Sequence, residues 1–323
     1  MSIIIPVKPG GRVRALAALS RLRYPAELFE VLIAYGRVPS AQRNLAAAEA
    51  SGELLYFLDD DSRVAPGFLE AAVHHFEDAA VAAVGGPSLT PESDSPLQRA
   101  IGIAFASAVG GGGVRNRYRQ IGKARSTSDS ELILCNLGFR REVFLSHGGL
   151  DARLYPNEEN ELMDRLQQEG YRLIHDPQLA VYRSQRATYR AYLRQMYSYG
   201  RGRGEQTRLA GKLKPVSLAP SLLLAYILSL PLVRCTPYAL PFFGYLAAMV
   251  AASVLGSLSG RDLSLLPRLL AVFPALHLVY GAGVIRGLVA PRYRQGTRES
   301  GEIEVRRVKA FEETVEPLAA EET

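Results

Sequence analysis

The apolar run Leu54-Leu55-Tyr56-Phe57-Leu58 passes directly into three carboxylates, Asp59-Asp60-Asp61. No other stretch restricts the architecture as much. A short continuous apolar run bounded by polar residues reads as a buried strand, most often in a sheet covered on both faces. Such a strand delivers its last residues to the carboxyl edge of the sheet, where open α/β folds bind ligands. Adjacent aspartates repel one another there unless a positive group lies between them. A hard divalent cation that carries a diphosphate suits that place. The same residues also fit an acidic turn leading into a helix that starts near Pro66.

Around this strand the pattern alternates. Residues 3–7, 30–34 and 81–84 read as further strands, and residues 12–22, 41–51 and 66–77 as helices. That spacing predicts a parallel sheet with right-handed crossovers. Residues 132–139 return to strand character, and Arg140 to Phe144 opens a short helix. Another helix runs from Asn157, its expected N-cap, to Gly170. Its Glu158 and Glu159 admit two readings: first-turn acids that suit the helix dipole, or a general base opposite a metal site. Gly110 to Gly113 lacks the Gly-Lys-Ser/Thr ending of a phosphate loop and reads as a flexible turn. The basic residues 115–125 after it read as a loop over a site or as a solvated or lipid-facing loop.

Hydrophobic residues make up 48% of the chain and charged residues 22%, but residues 216–290 are mostly apolar. The net charge of +6 concentrates in residues 115–125, 183–214 and 292–309, and the last two clusters flank the apolar region. This is the pattern of a chain held against an anionic cytoplasmic leaflet. Nucleic acid is the competing partner for a basic chain, but no recognition motif is visible and the apolar block argues against it. Two cysteines, Cys135 and Cys235, imply no disulfide framework and fit a reducing cytoplasm. The N-terminal residues lack the basic flank and long apolar core of a signal peptide, so the first half is expected to stay in the cytoplasm.

Apolar segments lie at residues 216–233, 238–258 and 266–290. The first two have about the ~20 residues a bilayer crossing needs. The third carries Arg268, His277 and Arg286 and is the weaker span. Three crossings would put the basic residues 292–309 outside, against the positive-inside tendency; a re-entrant or interfacial segment removes the conflict. Tyr189, Tyr192, Tyr197 and Tyr199 interleave with arginines, as on an amphipathic helix at a membrane interface. The acidic end, residues 312–323, reads as disordered or loosely helical.

Taken in order, these motifs resemble the inverting glycosyltransferases of family 2. More narrowly, they are similar to membrane-anchored enzymes of succinoglycan-type exopolysaccharide assembly. The matching pieces are Ile3-Ile4-Ile5-Pro6-Val7, Gln42-Arg43-Asn44-Leu45-Ala46, Phe57-Leu58-Asp59-Asp60-Asp61 and Gly138 to Phe144. Gly148-Gly149-Leu150-Asp151, Asn157 to Leu162, Arg194-Gln195, Tyr199 to Arg203, His277 and Tyr280-Gly281 continue the series.

The resemblance implies an α/β, GT-A type catalytic domain, Rossmann-like with a mostly parallel sheet, followed by an α-helical membrane region. Domain boundaries follow: 1–187 for the catalytic domain, 188–214 for a basic interfacial segment, 215–291 for membrane helices, and 292–323 for a cytoplasmic or disordered tail. A DxD motif at Asp59 and Asp61 would hold Mn2+ or Mg2+ on the diphosphate of a UDP- or GDP-sugar. Asp61 would be the direct ligand. Pro6, Tyr35, Arg43, Asp59 and Asp60 would contact the donor. Glu159, beside Glu158, falls at the general-base position, where the family usually has aspartate. Arg194, Gln195, Arg201 and Arg203 would lie near the diphosphate or the phosphates of the acceptor. That acceptor would be polyprenyl-linked or polysaccharide, met at the cytoplasmic (inner) membrane among its lipids.

One departure stands out. After its second strand the family has an acidic turn whose aspartate contacts the base, whereas this chain runs Tyr35-Gly36-Arg37-Val38-Pro39-Ser40. Tyr35 is expected to stack on the base instead. A non-catalytic, membrane-anchored partner of another transferase therefore stays open as the alternative.

Overall fold

The computed structural model describes residues 1–211, 215–233, 236–292 and 301–313. Cys235 and most of the acidic end lie outside the described residues. Among the described residues there are ten strands: β1 Ser2–Val7, β2 Glu30–Tyr35, β3 Leu54–Leu58, β4 Val81–Gly85, β5 Ser88–Leu89, β6 Arg125–Thr127, β7 Asn136–Arg140, β8 Arg172–His175, β9 Val181–Tyr182 and β10 Glu304–Lys309. The helices are α1 Leu16–Leu19, α2 Pro39–Glu49, α3 Phe68–His75, α4 Pro96–Ala106, α5 Arg141–Ser146, α6 Glu158–Gln168, α7 Tyr189–Ala210, α8 Ala219–Ser229, α9 Thr236–Ser259 and α10 Leu266–Val289.

Eight strands form one sheet in the order β10-β2-β1-β3-β7-β4-β8-β6. β1 pairs in parallel with β2 and β3, and β4 with β8. β7 is antiparallel to both β3 and β4, so those two still run the same way. The sheet is thus mixed but mostly of one direction. Alternate residues feed two cores. Ile3, Ile5, Val31, Ile33, Tyr56 and Leu58 pack on one face, while Ile4, Leu32, Leu55 and Phe57 pack on the other. Burial on both faces is why the strands read as unbroken apolar runs.

Three expectations need correction. The helix expected over residues 12–22 shrinks to the single turn of α1. The Ala15 N–H donates to Asp60 O at 2.9 Å and the Arg23 N–H to Pro66 O at 2.8 Å, so the segment is tied to the β3–α3 loop instead of coiling. The strand expected from residue 132 begins only at Asn136, after a turn closed by the Asn136 N–H donating to Ile133 O at 2.9 Å. The third correction concerns the apolar segments. Among the described residues two helices are long and apolar enough to cross a membrane, Thr236–Ser259 and Leu263–Val289, and the first segment, Val216–Leu232, is shorter. The reason is Pro231 inside a final 3-10 turn, which ends α8 early.

The basic tail contributes β10, antiparallel to β2 at the sheet edge. Its Lys309 Nζ donates to Ala26 O and Phe29 O at 2.7 and 2.5 Å, and Arg307 pairs with the buried Glu30 at 2.7 Å. Chain that follows α10 therefore returns to the same sheet that precedes α7.

α7 is amphipathic, yet much of it is buried against α10. Gly200 and Gly204 of α7 face Gly283 and Gly287 of α10. A Cβ at any of these four would fall inside contact distance of the backbone of the opposite helix. Small residues four apart on both partners allow this approach. We expect Gly200→Ala to cost about 1–3 kcal/mol through overpacking. Gly244→Ala on α9, where a Cβ meets nothing within 4 Å, should be neutral. Thermal unfolding of both proteins in detergent checks the difference; equal melting temperatures would refute the close packing.

Candidate active site

The first turn of α2 organises the carboxyl edge of the sheet. Pro39 starts the helix, where a missing N–H costs nothing. Gln42 then donates through Nε2 to Val7 O at 2.9 Å and to Ala34 O at 2.5 Å, tying the ends of β1 and β2 together. Arg43, 5% exposed, donates to Asp59 Oδ1 at 2.9 Å. Asn44 exchanges hydrogen bonds with the backbone of Leu150, at 2.8 and 2.9 Å. Ser40 donates to Glu158 Oε1 at 3.0 Å. One turn of helix thus reaches the first two strands, the aspartates and the glutamates.

Asp59, Asp60 and Asp61 lie just past β3, as the run of residues predicts. Arg183, just past β9, places Nε 3.0 Å from Asp59 Oδ2 and 3.3 Å from Asp61 Oδ1. Burial disfavours the Asp59 anion, but Arg183 and Arg43 outweigh it and hold the carboxyl below its ordinary range. Asp60 is pushed the other way, by burial and by Asp61 and Asp59.

Glu158 and Glu159 open α6 from Asn157 and are both buried, at 1% and 6% exposure. Asn157 sits at the N-cap position without capping. Its amide donates to Gln206 of α7 and its Oδ1 accepts from Asn160 at 3.0 Å. Burial, and then the neighbouring Glu159, push the Glu158 carboxyl up to about 7. Burial also raises Glu159, against the pull of Arg117. Arg117 is itself buried and donates to Asn160 Oδ1 at 2.6 Å and to the backbone oxygens of Ser130 and Asp129. The loop after the glycines is therefore pinned over α6.

A cavity of about 1280 Å³ joins these groups. Pro6, Arg43, Asp59, Asp60, Glu158 and Glu159 line its polar end, together with Arg183 and Arg203. The four glycines 110–113 form part of the wall as a structured turn. Its other end is apolar, bounded by Pro220, Leu223, Met249, Leu276 and Tyr280 of the helical region.

Not every expected residue converges here, and Asp61, the expected direct metal ligand, does not itself line the cavity. Of the basic set only Arg203 lines the cavity, donating to Gln206 Oε1 at 2.9 Å. Arg194 is exposed, Gln195 donates to Tyr199 Oη at 2.8 Å, and Arg201 lies 3.8 Å from Glu205 within α7. Helical rotation carries these three away from the cavity. Tyr35 also stays outside, its ring covered by the Arg306 guanidinium of β10 at 5.2 Å. Arg183, Arg186 and Ser40 are not singled out by the sequence, and Arg117 is marked only as one member of the basic stretch 115–125. All three arginines belong to basic clusters visible there, but charge density does not say which arginine faces the site.

Among the described residues no three His, Cys, Asp or Glu side chains converge as a closed metal site. Two carboxylates do converge, Asp59 Oδ2 and Asp61 Oδ1, on the point where Arg183 Nε sits. Hard oxygens of this kind fit Mg2+ or Mn2+, ions that take one or two carboxylates and fill the remaining positions with phosphate and water.

Comparison with known proteins agrees with this geometry. Residues 54–284 match the Glycosyl transferase family group 2. The chain is 27% identical over 202 residues to the pre-mycofactocin glycosyltransferase of Mycobacterium tuberculosis, covering 60% of this chain and 40% of that protein. It is 30% identical over 175 residues to the succinoglycan biosynthesis protein ExoA of Rhizobium meliloti, covering 52% and 50%. It thus spans half or less of the length of these relatives. The mannosyltransferase PcManGT from Pyrobaculum calidifontis, solved with GDP-Man and Mn2+, superimposes with a TM-score of 0.55 at 17% identity, covering 89% of this chain and 86% of that one. That likeness identifies the fold as GT-A. With more than half its length matched, the chain belongs to glycosyl transferase family group 2.

Proposed function

We propose that the chain is an inverting glycosyltransferase that moves a sugar from a nucleoside-diphosphate donor to a lipid-linked or polysaccharide acceptor at a membrane. One observation carries the reading: a single cavity joins the Asp59–Asp60 edge, the buried Glu158–Glu159 pair and an apolar chamber between helices. The donor's diphosphate would lie at the aspartates, with Pro6 and Arg43 beside it. Asp59 and Asp61 would hold Mn2+ or Mg2+, which when bound neutralises charge on the departing diphosphate. Glu159 would take the proton from the acceptor hydroxyl as its oxygen bonds to the anomeric carbon. The bond from that carbon to the diphosphate breaks on the opposite side, so configuration inverts. Burial raises the Glu159 carboxyl above its ordinary range, and burial and then Glu159 raise Glu158, which Ser40 fixes. UDP- and GDP-sugars are the donors to test, GDP-mannose among the first because the PcManGT complex contains it.

The apolar end of the cavity suits an acceptor carried on a hydrocarbon chain. α9 leaves Phe243, Leu255 and Leu258 at 59–66% exposure, a surface that lipid would cover. The turn between α9 and α10 is itself held on α4, where Arg99 donates to Asp262 Oδ2 at 2.8 Å and to Gly260 O at 3.0 Å. The two helices would therefore lie against the membrane without placing their turn on its far side, and the basic flanks would face the anionic cytoplasmic leaflet. A non-catalytic partner would keep two ionisable glutamates buried at a cost in stability and for no return.

Three outcomes follow. Glu159→Gln should lower kcat about 10²–10⁴-fold, the usual contribution of a general base, and leave nucleotide affinity nearly unchanged. Unchanged kcat in a sugar-transfer assay would remove Glu159 from this role. Asp61→Ala should abolish the metal-dependent part of UDP or GDP binding seen by calorimetry. The third outcome concerns pH. Because the Glu158 carboxyl is raised in the folded state, its stabilising contribution is full below its ordinary value of 4.5 and is lost as pH rises through about 7. Glu158→Gln should remove that loss, up to about 3 kcal/mol at about 1.4 kcal/mol per unit. Denaturant unfolding at pH 5 and pH 8 measures it; parallel behaviour of wild type and variant would contradict the assignment.

A further inference from the structure

Arg183 occupies the point on which Asp59 and Asp61 converge, at 3.0 and 3.3 Å from the two carboxylates. Arg183 Nε and Asp61 Oδ1 are both shut off from solvent, yet neither makes a hydrogen bond. The contact is charge attraction without directional bonding. Arg43 differs, because it meets the other Asp59 oxygen through a good hydrogen bond of 2.9 Å from a rigid helix. Arg183 follows a two-residue strand, borders the cavity and keeps about a fifth of its side chain exposed. Of the two cations it is the one that neither a hydrogen bond nor a helix fixes to Asp59.

We infer that Arg183 is a resident counter-ion for Asp59 and Asp61. It yields its place to a divalent cation only when a nucleoside diphosphate arrives to receive the guanidinium. The inference rests on the proposed metal role of those two aspartates. A guanidinium and a divalent cation repel too strongly to share one point. A cation arriving alone must push Arg183 out with no new partner for it. A diphosphate supplies that partner, since guanidinium pairs well with phosphate oxygens. Nucleotide and metal then bind cooperatively, each raising the affinity for the other by the same factor. Arg183 is in this sense a positioning residue that orders the arrival of the ligands.

The test is Mn2+ binding by the full chain in detergent, followed by electron paramagnetic resonance with and without UDP or GDP. The affinity of each nucleotide alone for Mn2+ is measured separately and subtracted. Wild type should gain about tenfold or more in Mn2+ affinity when nucleotide is added, within the usual range of coupling between sites. Without nucleotide, Arg183→Gln should bind Mn2+ about tenfold or more tightly than wild type, and Arg183→Lys should stay close to wild type. Adding Asp61→Ala to Arg183→Gln should erase the gain. Equal Mn2+ affinity in wild type and Arg183→Gln overturns the inference and leaves the metal role intact. Wild type that binds Mn2+ as tightly without nucleotide as with it also overturns the inference, a result that needs no variant to fold. No Mn2+ binding in any arm removes the metal role itself, and this inference with it.

Discussion

Negative charge concentrated at the end of β3 is the constraint on which the rest of this molecule turns. Asp59, Asp60 and Asp61 emerge from a strand buried on both faces, where low polarizability strengthens their repulsion. Arginines from distant parts of the chain offset it, with the exposed Arg14 3.8 Å from Asp61 and two others more deeply placed. Arg43 comes from α2 and Arg183 from the segment after β9, so compensation requires the sheet, α2 and the last strands to be assembled together. The edge that carries the site is therefore also an edge that reports correct folding.

The glutamates obey the opposite logic. Glu158 and Glu159 are buried with only partial compensation, from Ser40 and the more distant Arg117, and their carboxyls are raised. Adjacent acidic groups are thus driven apart in character. Asp59 is held below its ordinary range by arginines, and both glutamates are raised above theirs by burial. Separating one acidic set for charge binding from another for proton transfer is a recurring way to run both at one pH.

The helical region is joined to this site and is not a separate appendage. α7 carries Arg203 to the cavity and Gln206 to Asn157, and it lies against α10 through facing glycines. His277 of α10 contacts Val109 O at 2.9 Å and Tyr245 Oη at 3.1 Å, linking both long apolar helices to the glycine-rich wall. β10 then closes the circuit by returning to β2.

Much of this was legible without coordinates. The strands β1 to β4, the placement of Asp59–Asp61 at a carboxyl edge and the opening of α6 at Glu158 all follow from local apolar patterning, which period and length determine directly. The Gln42-Arg43-Asn44 motif was visible as letters, but its three distinct tasks were not, because each partner lies elsewhere in the chain. Sequence alone determined that carboxylates would crowd one sheet edge. Only the tertiary structure decided that Arg183 sits among them, that Arg194, Gln195 and Arg201 turn away, that Tyr35 is covered by Arg306, and that the tail becomes an edge strand. The physical reason is common to all four: each depends on which surface of an element meets another part of the chain, and local patterning does not name the partner.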